Sequence, residues 1–228
     1  YNNIYNCPLG IEFDSGDGPG PTYIIGNILN NITATASCNA FNYGAVHYRN
    51  AGGAHIYFNT FYNSYSGVTK AYNDNGVYVK NNIFAAHQGS CPVIDVGDGY
   101  SDVETDFNLF ESDSYDIRNT ALYSSISAYA TATGYESHRQ VGSASFVNAP
   151  TDLSLQSNSP AIGNANTTEE SVFATFETLY GLDIRKDFAG TTRPAAATDW
   201  DIGAYEYTAG IETTTIPGGI TASGIAIH

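Results

Sequence analysis

The sequence predicts an all-β fold, a parallel β-helix (solenoid) with a short helix-containing C-terminal cap. Two observations carry this prediction: a segment that begins with Asn recurs along the chain, and a second short β-prone segment recurs between its copies. The composition agrees, because Lys and Arg together number 8 and Met is absent, while Gly, Asn, Tyr, Ser and Thr are abundant. Few helix formers are therefore available to cover a sheet, and strands must pack against strands.

The first repeat consists of Asn followed by two mainly apolar residues. Its copies are Asn3-Ile4-Tyr5, Asn27-Ile28-Leu29, Asn59-Thr60-Phe61, Asn82-Ile83-Phe84 and Asn108-Leu109-Phe110. Like strands of a solenoid stack about 4.8 Å apart, so equivalent residues form columns. We therefore expect an inward column of Asn side chains that bond from coil to coil, beside a core column of Leu29, Phe61, Phe84 and Phe110.

The second repeat lies between copies of the first. Its copies are Gly10 to Phe13, Gly44 to His47, Gly67 to Lys70 and Pro92 to Asp95, and turn-forming residues separate the two repeats. A β-sandwich would instead show alternating strands with hairpin turns every 8 to 12 residues or so. Recurrence of matching segments at one coil length favours the solenoid.

The chain divides into three regions by its pattern. Residues 1–114 carry the regular coils, residues 115–207 the last coils and the cap, and residues 208–228 a β-prone tail. Helical spacing predicts an amphipathic helix over residues 167–180 that covers the coil end, and a weaker helix within 115–131. The tail is predicted to pair with a neighbouring subunit, to serve as an anchoring strand, or to form a final pair of strands along its own solenoid.

Short motifs in the C-terminal half resemble those of a known family. The motifs are, in chain order, Thr105 to Phe110, Phe146-Val147-Asn148, Leu153-Ser154-Leu155, Ser159-Pro160-Ala161-Ile162-Gly163, then Asp187, Gly190, Arg193-Pro194 and Asp201-Ile202-Gly203-Ala204-Tyr205-Glu206. This series is similar to the closing motifs of right-handed parallel β-helix proteins of the pectate-lyase-like superfamily, of the secreted bacterial type. The resemblance implies a right-handed coil and an extracellular or cell-surface location. It does not imply one activity, because such motifs are shared by catalytic and non-catalytic proteins. We expect Arg193 to form a structural ion pair with Asp187 or Asp201.

Charge and cysteine content limit the possible partners. The formal net charge of −15 argues against nucleic acid and anionic membranes, and no apolar run is long enough to span a bilayer. We expect a mature or trimmed chain, because Tyr1 is not a start methionine and no signal peptide is visible. Cys7 and Cys38 fall at similar points of neighbouring repeats, so a disulfide between them is possible, which would leave Cys91 as a buried thiol.

The family resemblance implies that a polysaccharide-cleaving site would lie on an outward sheet face. If the second repeat alternates as expected, His47, Lys70 and Asp95 form one outward column, and Arg49 and Tyr72 form the next. For β-elimination, Arg49 would neutralise a uronate and Lys70 or His47 would act as the base, with Tyr72 and Asp95 contacting the substrate. A Lys–Asp ladder of purely structural value explains the same pattern. Paired acids Asp14 with Asp17, and Asp95 with Asp98, are candidate Ca²⁺ ligands on turns, although solvated turn acids are the simpler interpretation.

Two classes of function follow from the sequence. The first is an extracellular protein that interacts with polysaccharide, with a lyase-like enzyme as one form of it. The second is a structural surface protein or a head-to-tail filament subunit, whose partner is a copy of itself. The absence of a cap before the first coil and the β-prone tail favour the second class.

Overall fold

The computed structural model describes residues 1–14, 21–33, 44–49, 53–71, 76–88, 91–96, 103–166, 168–194, 200–209, 213–216 and 220–223. Within these residues the chain forms twenty strands and two helices. In chain order they are β1 (Asn3–Cys7), β2 (Ile11–Asp14), β3 (Thr22–Ile25), β4 (Ile28–Ile32), β5 (Val46–Arg49), β6 (Ala54–Tyr57), β7 (Thr60–Tyr62), β8 (Val68–Ala71), β9 (Val77–Lys80), β10 (Ile83–Ala85), β11 (Ile94–Asp95), β12 (Val103–Asp106), β13 (Leu109–Phe110), β14 (Ile117–Asn119), β15 (Ala121–Tyr123), α1 (Ile126–Thr133), β16 (Gln140–Val141), β17 (Phe146–Asn148), β18 (Asp152–Leu155), α2 (Glu170–Tyr180), β19 (Thr213–Ile216) and β20 (Ile220–Ser223).

Three stacked sheets form the body of the molecule. Sheet A has the order β1-β4-β7-β10-β13-β16, sheet B the order β15-β14-β11-β8-β5-β2, and sheet C the order β12-β9-β6-β3. Their pairs are parallel, except that β15 returns antiparallel to β14. The chain visits the three sheets in turn, which is why strands distant in sequence become neighbours. The result is an all-β, solenoid-like fold that is compatible with a β-helix.

The predicted Asn ladder is confirmed at the corner between sheets C and A. The Oδ1 atom of Asn59 accepts from the Asn27 backbone N at 2.9 Å, and the same bond links Asn59 to Asn82 and Asn82 to Asn108. The residue before each of these asparagines has a positive φ: 68° at Gly26, 57° at Phe58, 59° at Asn81 and 56° at Phe107. In the first coil the ladder position belongs to Asn2 rather than to the expected Asn3, which pairs with Ile28.

The predicted ring column lies inside the coils. Phe61 and Phe84 stack with centroids 4.8 Å apart, and Phe84 and Phe110 with centroids 5.2 Å apart, both within 9° of parallel. Leu29 continues the column in register with Phe61. All four side chains are at most 2% exposed, so this column is the spine of the main core.

The two helices are found within or close to the predicted regions, but their roles differ from the expectation. α1 begins after Ser125, whose side chain accepts from Ala128 N, and Tyr129 enters the core of the last coil. α2 packs beside sheet C, where Phe173 contacts Phe58. The predicted 167–180 helix thus lies mainly beside sheet C and reaches a coil end only through Phe176, which lines the cavity among the first strands, whereas α1 packs on the core at the last coil.

The remaining cap segments lie along the outer face of sheet A. Ile83 and Leu109 pack against Leu155 and Ile202, and Ile28 packs against Ala204. Although these sheet residues point away from the main core, the cap buries them. The closing motif thus packs against the outer face of sheet A in addition to ending the fold.

Arg193 links the cap internally. Its guanidinium donates to Glu206 Oε1 and to the carbonyl of Gly203 at 3.0 Å, and lies 4.2 Å from the ring centre of Phe58. The expected structural ion pair exists, but its carboxylate is Glu206 rather than Asp187 or Asp201. In the tail, β19 and β20 pair with each other in an antiparallel hairpin.

Candidate functional site

The outward row of sheet B contains two of the residues predicted for the site. Glu12, His47, Thr69, Asp95 and Arg118 stand in register on successive strands. His47 Nδ1 lies 2.7 Å from Thr69 Oγ1, and Asp95 Oδ2 lies 3.6 Å from Arg118. His47 and Asp95 are only 1% and 2% exposed, so neither lies open to a polymer.

Lys70 does not belong to this row, and its predicted position was wrong. It pairs with Tyr48 rather than His47, and its side chain is 0% exposed. The cause is a one-residue difference in register: Val68 pairs with Val46 and Thr69 with His47, one residue away from the alignment that Gly44 and Gly67 suggest. A slip of one residue moves a side chain to the opposite sheet face, so Lys70 points inward.

The second predicted column is also not formed as expected. Arg49 ends β5 opposite Ala71, and not opposite Tyr72, which lies outside the described residues. The proposed set of His47, Arg49, Lys70 and Tyr72 therefore does not form one exposed patch within the part of the chain that the structure describes.

The predicted Ca²⁺ ligands fall into two groups. Asp95 faces Arg118, which already meets its negative charge. Asp14 ends β2 opposite Arg49, whereas Asp17 and Asp98 lie outside the described residues. No group of three or more His, Cys, Asp or Glu that could hold a metal ion occurs among the residues described.

The cysteines differ from the expected pairing. Cys7 is a free thiol whose Sγ donates to Leu9 O at 3.1 Å, and its neighbour in the next coil is Ile32. Cys91, expected as a buried thiol, is disulfide-bonded. Because Cys7 is a free thiol, the expected Cys7–Cys38 bridge is not formed; Cys38 itself lies outside the described residues.

A row of rings on the outward face of sheet C is the surface feature that the sequence analysis missed. Tyr23, His55 and Tyr78 occupy the same register position on β3, β6 and β9. Their centroids are 5.1 and 5.3 Å apart, with interplanar angles of 19° and 10°. All three are half-buried. We call these three residues the aromatic row.

Charged residues continue the aromatic row. Lys80 Nζ lies 5.4 Å from the ring centre of Tyr78, 3.2 Å from Glu169 Oε1 and 3.6 Å from Glu104 Oε2. Glu104 follows Tyr78 in register on β12. One cation between two carboxylates leaves this surface with a negative charge, so it favours neutral ligands over anionic ones.

Tyr57 connects His55 to this charged group. His55 Nδ1 lies 3.0 Å from the Tyr57 hydroxyl, and burial together with the neighbouring Glu169 raises the pKa of Tyr57. Burial lowers the pKa of His55, so its imidazole is neutral at neutral pH. A neutral imidazole carries one N–H and one acceptor nitrogen, so His55 can exchange one hydrogen bond with Tyr57 and use its other ring nitrogen for a second one.

One signal in the sequence could have found the aromatic row. Tyr23, His55 and Tyr78 each stand four residues before a ladder asparagine, at Asn27, Asn59 and Asn82. A third repeated segment at that offset is what the structure shows as sheet C. This third repeat is difficult to recognise in the sequence because its outward residues are not all of one type, although two of them are tyrosines.

Comparison with protein-family models, with curated proteins and with solved structures found no match to this chain. The resemblance to the pectate-lyase-like superfamily therefore stands on the short motifs alone. Within the described residues, no helix is both long and apolar enough to cross a membrane.

Proposed function

We propose that this chain is a right-handed parallel β-helix protein of the pectate-lyase-like superfamily that binds polysaccharide outside the cell through the aromatic row. The stacked parallel sheets and the Asn ladder are compatible with that fold. The closing motif supports the family, because its residues Ser159, Arg193 and Glu206 are buried and bonded, as a fold-defining motif requires.

The observation that carries the binding proposal is the alignment of Tyr23, His55 and Tyr78 along the solenoid. Rings of this kind combine apolar area with polar edges, which suits the alternating C–H and hydroxyl groups of a sugar chain. The row also runs across successive coils, so a linear polymer lying along the axis meets each ring in turn. Phe176 on α2 packs edge-on against Tyr23 at 5.1 Å and limits the row at one end.

Binding without cleavage is the form of the proposal that the site favours. A β-eliminating enzyme needs an accessible base and a cation that neutralises the uronate. Lys70 is buried, and Lys80 is already flanked by Glu104 and Glu169. Neither lysine supports a lyase step.

The test is affinity electrophoresis and calorimetry against soluble polysaccharides, with Tyr78→Ala and His55→Ala as variants. We expect each variant to bind about tenfold more weakly, because one ring contact contributes roughly 0.5–1.5 kcal/mol beyond the area it buries. Tyr5→Ala is the matched control, since Tyr5 is 61% exposed on the outer face of sheet A. If Tyr78→Ala and His55→Ala bind polysaccharide as tightly as Tyr5→Ala does, with unchanged circular dichroism, the aromatic row is rejected as the binding surface.

The structural-subunit alternative has one observation in its favour. β1, β2 and β3 each stand at the end of their sheet, around an apolar cavity of about 340 Å³ lined in part by Ile4, Ile11, Phe13 and Ile24. Strand edges of this kind can pair with another chain. Concentration-dependent polymers in light scattering would favour this alternative, and a monomer at all concentrations would count against it.

A further inference from the structure

A second concave site lies in the cap. A cavity of about 670 Å³ opens between the β17–β18 hairpin and two later segments, residues 187–191 and 205–208. The hairpin and the closing motif pack on the outer face of sheet A, so the cavity is on a different face from the aromatic row. Its volume is in the range of about 300–1,000 Å³ that is usual for small-molecule sites.

The walls of this cavity are held in place by buried hydrogen bonds. Asp187, which is 1% exposed, accepts from Thr191 N at 2.6 Å and from Glu206 N at 3.0 Å, and so joins the two later segments. Gln156 Nε2 donates to Phe146 O at 2.8 Å and fixes the hairpin wall. A site built in this way needs little reorganisation when a ligand enters.

Neutral polar groups predominate in the lining. Hydroxyl, amide and phenol groups come from Ser154, Gln156, Ser157, Thr191, Tyr205, Tyr207 and Thr208. Val147 and Leu155 add apolar surface. Groups that both donate and accept are complementary to sugar hydroxyls, and the apolar residues suit the C–H face of a pyranose ring.

The charge of the lining selects against acidic sugars. Asp152 and Asp187 contribute carboxyl groups whereas Glu206 is already paired with Arg193, and the described lining contains no Lys, Arg or His. Hydrogen bonds from Ser154 hold the pKa of Asp152 below its usual range, so this carboxylate is ionised at neutral pH. Burial and the nearby Asp152 and Asp187 raise the pKa of Tyr205, which keeps its phenol O–H as a donor.

We propose that this cap cavity binds an uncharged pyranose unit of a neutral glycan and rejects uronates. The proposal rests on the proposed function in that the chain must meet glycans, but it requires no contact from the aromatic row. The ligand class it assigns is uncharged, whereas a lyase would be expected to bind negatively charged uronates.

The test uses saturation-transfer NMR and calorimetry on the full chain. The probes are cello-, manno-, galacto- and xylo-oligosaccharides, with oligogalacturonate as the anionic counterpart and chitosan oligosaccharides as the cationic one. We expect at least one neutral probe to bind. Tyr205→Phe removes one hydrogen bond and keeps the ring that packs 5.4 Å from Phe188, so affinity falls about tenfold, as loss of a bond worth roughly 1.4 kcal/mol predicts.

The matched control is Tyr5→Phe, which should bind as the unmodified chain does. The proposal is overturned if no neutral probe binds, if oligogalacturonate or the chitosan probe binds more tightly than every neutral probe, or if Tyr205→Phe leaves affinity unchanged. Failure here is separable from failure of the proposed function, because the latter is measured with Tyr78→Ala and His55→Ala, which do not touch the cavity.

Discussion

Single buried polar side chains determine how this chain turns from one sheet to the next. Asn59 accepts from Asn27 N through Oδ1, and its Nδ2 donates to Ile24 O at 2.8 Å and to Asn82 Oδ1 at 3.0 Å. An apolar side chain of the same size would leave these backbone groups without partners inside the protein. The ladder therefore makes tight corners possible in a buried position.

Glu136 occupies the end of this ladder and differs from its other members. Its Oε1 accepts from Asn108 Nδ2 at 2.6 Å, while Oε2 is buried and has no hydrogen-bond partner among the described residues. Burial raises the pKa of Glu136 to about 8. Hydrogen bonds from Asn108 and Thr105 lower this pKa in part, and the negative charge of Asp106 raises it further. The carboxyl is therefore mainly neutral at pH 7.

We predict that Glu136 makes the protein more stable in mild acid than in mild alkali. Between about pH 5 and pH 8 the folded state keeps a proton that the unfolded state has released, so the free energy of unfolding falls as pH rises. The contribution of one group is at most about 1.4 kcal/mol per pH unit. Urea unfolding at several pH values, with Glu136→Gln beside the unmodified chain, measures this slope.

Gln keeps the acceptor for Asn108 and cannot ionise, so the slope should become shallower in Glu136→Gln. Burial also raises the pKa of Glu206, to about 7, and this adds a slope of the same sign in both proteins. The difference between the two proteins thus isolates Glu136. Glu104→Gln is the control at an exposed site, and parallel pH profiles for Glu136→Gln and the unmodified chain would show that Glu136 is ionised in the fold.

Residue by residue, the sequence predicted inward columns better than outward ones. Asn27, Asn59, Asn82 and Asn108 could be aligned because one residue type satisfies that corner. Lys70 could not be placed, because Gly44-Ala45-Val46 and Gly67-Val68 look equivalent in sequence but differ by one residue in pairing. Val46 pairs with Val68, but it follows Gly44 by two residues whereas Val68 follows Gly67 by one, and no side chain type reveals this offset.

At the scale of elements, sheets A and B were identified and sheet C was not. Two of the three repeated segments in each coil have a constant leading residue, Asn or mainly Gly, whereas the strands of sheet C begin with Thr22, Ala54, Val77 and Val103. Short strands that lack a constant residue are difficult to recognise as a repeat from a single sequence. The helices were located by their periodicity, but periodicity does not say which face of the solenoid a helix covers.

The ladder as an element is tested by Asn82→Ala. This change removes an acceptor from Asn59 N and donors from Ile56 O and Lys80 O, at 2.9, 2.8 and 2.9 Å. Each buried group left unpaired costs about 1–3 kcal/mol, so we expect a loss of roughly 3–5 kcal/mol in the free energy of unfolding, measured by urea denaturation.

Asn30→Ala is the matched control for the ladder. Asn30 is half-buried, and its side chain donates to Pro150 O at 3.0 Å, outside the ladder. Its removal should cost about 1 kcal/mol or less. Similar losses in Asn82→Ala and Asn30→Ala would mean that the ladder adds nothing beyond an ordinary surface hydrogen bond.

At the scale of the whole molecule, the coils and the cap share their hydrophobic cores. Trp200 packs against Phe58 and Phe173 with centroids 5.7 and 5.4 Å apart, and so joins a coil corner, α2 and the closing motif. The boundaries predicted at residues 114 and 207 separate regions of sequence pattern. These contacts cross the first of those boundaries, since Phe58 belongs to the coils and Trp200 to the cap.

We predict that coils and cap unfold together. Trp200 is the only tryptophan of the chain, so its fluorescence reports on the cap, while far-ultraviolet circular dichroism reports mainly on the strands. Loss of the cap would expose the outward residues Ile28, Ile83 and Leu109 of sheet A, and loss of the coils would expose Trp200. Unfolding of either part therefore exposes apolar surface of the other, and the two urea transitions should share one midpoint. A fluorescence midpoint at clearly lower urea than the circular dichroism midpoint would instead show that the coils stand without the cap, and that the outer face of sheet A tolerates water.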